Sequence, residues 1–209
     1  MGNISERRES ALEENKKKYI LGITGGVGSG KSRILDILRD AYGFHVIQAD
    51  QVAKDLMMPG MECYDAVVDY LGPAIVGEDK CIDRPVMAGI IFNDPEKRRR
   101  VDELTHPLVW KAMLKEAMEA DEGNVVMEAA IPSKEFRDKC CEMWYVYTSR
   151  ENRVERLRLN RGYPKEKSLS IMENQAEEET FRKFCDYIID NNGSLEQTKV
   201  QIEARLKGS

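Results

Sequence analysis

The sequence predicts an α/β fold built on a parallel five-stranded sheet. Two observations carry that expectation. From residue 19 onward, short apolar runs alternate with amphipathic stretches, the pattern of strands joined by crossover helices. The first run and the first amphipathic stretch are joined by a glycine-rich turn, Gly25-Gly26-Val27-Gly28-Ser29-Gly30-Lys31-Ser32. A chain of 209 residues suits one domain with room for a small insertion.

The elements follow in order. Tyr19–Thr24 is an apolar run that stops at Gly25, and reads as a buried strand. Helical periodicity runs from Lys31 to about Tyr42, with Gly43 as the C-cap. Phe44–Gln48 is the second strand and Asp50 stands just past it. A helix is expected from about Gln51 to Met58, ending before Pro59-Gly60. Residues 61–120 hold no convincing strand. Glu62–Leu71 is amphipathic, Val86–Phe92 is short and apolar, and Asp94-Pro95 opens a charged helix. Thr105-His106-Pro107 reads as a further helix start, with Pro107 near the first position. Asn124–Ala129 and Met143–Thr148 return to strand. Arg150–Asn160 and Pro164–Phe181 are charged helices, Tyr187–Ile189 is the last strand, and Ser194–Leu206 the final helix. The chain thus divides into a charged leader (1–18), a core (19–60 and 121–209), a helical insertion (about 61–120) and a lid (about 150–170).

Bulk properties exclude several classes. The net charge of −5 disfavours a nucleic-acid partner. The five cysteines show no C-x-x-C spacing, and Cys140 and Cys141 are adjacent, which fits reduced thiols in a cytoplasmic protein. No apolar stretch is long enough to span a membrane. Met1-Gly2-Asn3-Ile4-Ser5-Glu6 departs from a myristoylation signal at Glu6, and there is no signal-peptide core.

The turn after the first strand has the full G-x-x-x-x-G-K-[ST] spacing of a phosphate-binding P-loop, with the strand before it and helix after it that the motif requires. Glycines let the backbone approach phosphate oxygens without a Cβ. The stretch Gly25, Gly26, Val27, Gly28, Ser29, Gly30, Lys31, Ser32 and Arg33 is therefore the candidate ATP site. Lys31 would reach the β- and γ-phosphates, and the Ser32 hydroxyl would ligate Mg²⁺.

Other residues add chemistry. Asp50 could orient or deprotonate an attacking hydroxyl, or simply cap a helix. Glu128 closes an apolar strand in a Walker-B-like position and could hold a water on Mg²⁺. Arg150, Arg153, Arg156, Arg158 and Arg161 crowd one helical stretch, as in a lid closing on phosphates, with Gly162 as its hinge. The turn Asn191–Gly193 could contact adenine or just supply left-handed residues. His45 reads as a packing residue; His106 has no assigned role from pattern alone.

Taken together these residues resemble the dephospho-coenzyme A kinase family. The resemblance covers about residues 19–206. It rests on GITGGVGSGKS (22–32), Ala49-Asp50 through Pro59-Gly60, Asp83-Arg84 with Met87 and Ile91-Phe92, His106-Pro107-Leu108, Val125–Glu128, Arg156-Leu157 with Gly162, Gln175, and Ile188–Ser194. It implies a three-layer P-loop kinase with a helical substrate-binding insertion and a lid. It also implies ATP-dependent phosphorylation of the ribose 3′-hydroxyl of dephospho-CoA. By that resemblance Asp50 is the catalytic base, Lys31, Arg156 and Arg161 act on the phosphates, and Asn191 lies with the nucleotide. Asp83, Arg84, His106 and Glu128 belong to the acceptor side. The chain departs from the family in having Gln48 where a first carboxylate is common, Ala130-Ile131-Pro132 after the strand-3 acid, and Asn160 at the second lid arginine, with Arg161 one place later. Another P-loop nucleoside or nucleotide kinase, or an ATP-binding regulatory protein without turnover, would share the P-loop; no guanine-binding N/T-K-x-D motif occurs after it.

Overall fold

Strand β1 (Tyr19–Thr24) is the hub of the structure, a computed structural model describing residues 18–208. It pairs in parallel with β3 (Asn124–Glu128) on one side and β4 (Glu142–Tyr147) on the other, in registers that set Ile23 beside Glu128 and Ile23 beside Trp144. With β2 (His45–Gln48) and β5 (Tyr187–Asp190) the order is β2-β3-β1-β4-β5. The sheet has the five strands expected. β1 is buried along nearly all its length, as a strand covered on both faces must be. Because chain order reverses about β1, the carboxyl ends beside it form the switch point where open α/β sheets place ligands. The leader expected over 1–18 lies, apart from Lys18, outside the described residues.

Among the described residues, 18–46 and 117–208 form one unit and Ile47–Glu116 a second. In the first, α1 (Lys31–Tyr42) buries Ile34, Leu35 and Leu38 against Leu21, Ile23, Val126 and Trp144. Gly43 ends it in the left-handed conformation, φ 65°, its N–H donating to the Arg39 carbonyl and that of Phe44 to the Leu38 carbonyl. The last helix, α10, spans Leu195–Lys207; Ser194 and Gln197 close a capping box at its start, and Ile202 joins the same core. Glu142 is 2% exposed, yet its carboxylate accepts from Trp144 Nε1 (2.6 Å), Arg205 Nε (2.6 Å) and Tyr19 OH (3.1 Å). Three donors are what a buried charge needs.

The second unit is helical, with α2 (Ala49–Leu56), α3 (Glu62–Leu71), a 3₁₀ turn (Pro73–Ile75), α4 (Arg84–Phe92) and α5 (Pro95–Glu119). Val67, Ile75, Ile82 and Val101 make its small core. No helix starts at Thr105-His106-Pro107; α5 runs straight through Pro107. A proline there removes one helical N–H and crowds the carbonyl four residues earlier. The helix persists because Val101, Thr105, Val109, Met113 and Ala117, spaced by four, are all buried. Pro107→Ala should therefore stabilise the protein, by about 1–3 kcal/mol, read as a higher thermal midpoint with unchanged far-UV circular dichroism.

A second correction concerns residues 164–181. The single helix expected there is two, α8 (Lys165–Glu173) and α9 (Glu178–Phe184). They are preceded by a short helix, α6 (Lys134–Arg137), one turn being too brief for periodicity to reveal, and by α7 (Arg150–Arg161). The break falls at 174–177, where the side chain of Gln175 is taken by distant backbone.

Candidate active site

The loop between β1 and α1 is held in place from below and from the side. Gly30 precedes α1 with φ 94°, and a Cβ on it would run into the amide of Asn191. Only glycine fits both demands. The first amides of α1, at Lys31 and Ser32, have no intrahelical acceptor and form the positive end of the helix.

Lys31 Nζ donates to the Gly25 carbonyl at 2.8 Å and lies 3.4 Å from Glu128 Oε1. Both side chains are largely buried. Ser32 and Arg33 are exposed on the first turn of α1. Glu128 ends β3, so the parallel pairing of β1 with β3 is what brings it to the P-loop lysine. A hydroxyl at Ser32 and a carboxylate at Glu128 fit Mg²⁺, which takes few protein ligands and completes its shell with phosphate and water. No cluster of three or more His, Cys, Asp or Glu side chains competes as a metal site among the described residues.

The Ser29 carbonyl accepts three donors: Asn191 Nδ2 (2.7 Å), Thr148 Oγ1 (2.9 Å) and Arg156 Nη1 (3.2 Å). Arg156 also donates to Asn191 O at 2.6 Å, and Asn191 Oδ1 accepts from Thr198 Oγ1 at 2.9 Å. Asn191, expected beside the adenine, thus has both ends of its side-chain amide engaged within the protein, and it is buried. Its place is under the loop. Arg161 is exposed in the last turn of α7, where Gly162 caps the helix at φ 64° and donates to Arg158 O. That cap accounts for Gly162 without a hinge.

Arg153 is a residue the sequence pattern did not single out from its neighbours. Its Nε donates to Val27 O at 2.8 Å, and its Nη2 donates to Gln175 Oε1 at 2.6 Å. Burial pulls its pKa below the usual arginine range. The available signal was spacing: Arg153 and Arg156 share the face of α7 that carries buried Leu157, whereas Arg158 turns out to pair with Glu155.

The remaining predicted residues belong to the second unit. Asp50 is exposed in the first turn of α2, directly after β2; Gln48, not Asp50, occupies the cap position. Asp83 caps α4, its Oδ1 accepting from Val86 N at 3.0 Å, and Arg84 is exposed beside it. His106 Nε2 lies 3.7 Å from Asp102 Oδ1, one helical turn away.

Comparison with known proteins decides the family. Residues 19–197 match the family model of dephospho-CoA kinase. The chain belongs to the dephospho-CoA kinase family. A dephospho-CoA kinase of Carboxydothermus hydrogenoformans is 35% identical over 187 residues, covering 88% of this chain and 90% of that one. The enzyme of the same name from Streptococcus mutans is 32% identical over 191 residues, covering 90% and 96%. Among solved structures, TT1252 from Thermus thermophilus superposes with a TM-score of 0.77 at 28% identity, covering 91% of this chain and 97% of that one. The likeness spans the P-loop and the helical segment alike. Free thiols are the state of all five cysteines. Burial pushes Cys185 up to about 12, far from a reactive thiolate. No helix among the described residues is long and apolar enough to cross a membrane.

Proposed function

We propose that this member of the dephospho-CoA kinase family transfers the γ-phosphoryl group of ATP to the ribose 3′-hydroxyl of dephospho-CoA, giving CoA and ADP in the cytoplasm. The observation that carries the reading is Lys31, largely buried at the P-loop between the Gly25 carbonyl and Glu128. Phosphoryl transfer is loose, so a protein accelerates it mainly by positioning and by stabilising spread negative charge. Lys31 and the α1 amides supply fixed positive charge for the triphosphate. Ser32 and Glu128 would hold Mg²⁺, which when bound neutralises charge shared by the β- and γ-phosphates. Asp50 would orient the acceptor hydroxyl and take its proton. Asp83, Arg84 and His106 stand as the acceptor-binding set. Arg156 serves the phosphates at second hand, by fixing the loop that holds them, and Arg161 is the lid arginine with freedom to reach ligand.

A coupled ADP assay with dephospho-CoA as acceptor tests this. ADP should form only when acceptor and Mg²⁺ are both present. A panel of other acceptors (AMP, CMP, uridine, shikimate) should give little. Preference for one of those, or ATP binding with no acceptor-dependent ADP, would overturn the reading.

A further inference from the structure

Val27 sits in the middle of the P-loop, outside any helix or strand, yet both of its backbone groups are satisfied. Its N–H donates to Gln175 Oε1 at 3.0 Å. Its carbonyl accepts from Arg153 Nε at 2.8 Å. Arg153 Nη2 donates to the same Gln175 oxygen at 2.6 Å, so three hydrogen bonds close a ring through Val27, Gln175 and Arg153. The orientation of the Gln175 amide is dictated by chemistry: both partners are N–H donors, so the oxygen must face them. The guanidinium lies flat over Gly26, where any Cβ would collide with it.

We infer that Gln175 and Arg153 are positioning residues for the nucleotide, clasping the outer side of the P-loop so that its inner amides keep the curvature a phosphate requires. The clasp uses the oxygen of Gln175 and leaves the lysine, the serine hydroxyl and the helix amides to the ligand. It also explains the break between α8 and α9: the chain stops being helical where Gln175 turns to the loop. A loop preorganised this way loses less conformational freedom on binding, which appears as tighter ATP binding. The clasp touches the P-loop backbone alone, so the affinity for the acceptor should be indifferent to it.

The inference rests on ATP being the donor, and the test separates the two. ATP binding is measured directly by calorimetry, alongside steady-state kinetics, for wild type, Gln175→Leu, Arg153→Leu and the double variant. If wild type binds no ATP, the donor assignment falls and the clasp with it. With ATP bound by wild type, Gln175→Leu should weaken ATP about tenfold, the equivalent of about one or two neutral hydrogen bonds. The KM for dephospho-CoA and kcat should stay within about twofold, the signature of a lost ground-state contact to one substrate. The double variant should be little worse than either single one, because each breaks the same ring. Unchanged ATP affinity in Gln175→Leu, equal losses for both substrates, or failure of that variant to fold would each show that the pair supports structure only.

Discussion

Lys31→Ala should lower kcat/KM by about 10³-fold or more, the scale seen when a preorganised charge facing a transition state is removed. The effect is large because the ammonium is not a surface group free to be replaced by water. It lies against the Gly25 carbonyl and within 3.4 Å of Glu128, on a loop whose shape is set elsewhere. The substitution also removes the ammonium 3.4 Å from Glu128, and taking a cation away from a largely buried carboxylate destabilises the fold. The two consequences separate experimentally. Lys31→Ala with Glu128→Gln should recover much of the lost thermal stability and none of the lost turnover. Recovery of activity in that double variant would mean that Lys31 matters for packing rather than for phosphate. Circular dichroism melts and the coupled ADP assay read the two effects independently.

Asp50→Asn should cut kcat by about 10²–10⁴-fold, the range for loss of a general base, while ATP binding stays near the wild-type value. The prediction is sharp because Asp50 acts without a carboxylate neighbour two residues back, where the chain has Gln48. Asp50 is exposed, in the first turn of α2, and caps nothing there, so the isosteric amide should not disturb the helix. Near-normal kcat in Asp50→Asn would sink the base assignment and leave positioning of the acceptor to the charged residues of the second unit.

Most of the architecture is legible in the sequence. Five apolar runs became five parallel strands, and the P-loop spacing announced a strand–loop–helix unit that the structure contains. These are local signals: periodicity and glycine placement act over ten or fifteen residues. Where local signals conflicted with packing, the reading failed. Pro107 looked like a helix start because proline favours that position, but the buried ridge from Val101 to Ala117 outweighed the missing hydrogen bond. The stretch 164–181 looked like one helix because nothing within it announces that Gln175 is engaged elsewhere.

The site divides along the same line. By itself the sequence determined that a P-loop follows the first strand, that Lys31 and Ser32 close its motif, and that an acid ends the third strand. Only the tertiary structure decided which residues hold that loop. Arg153 is 126 positions from the Val27 carbonyl it grips, and Gln175 is 148 positions from the Val27 amide. Arg156, Thr148 and Asn191 meet on one Ser29 carbonyl from two different segments. Such meetings depend on β4 and β5 lying in sequence beside β1, which carries α7 and the 191–193 turn to the loop. Strand order is a property of how sheets and helices pack together, and no run of neighbouring residues encodes it in a form that spacing can reveal.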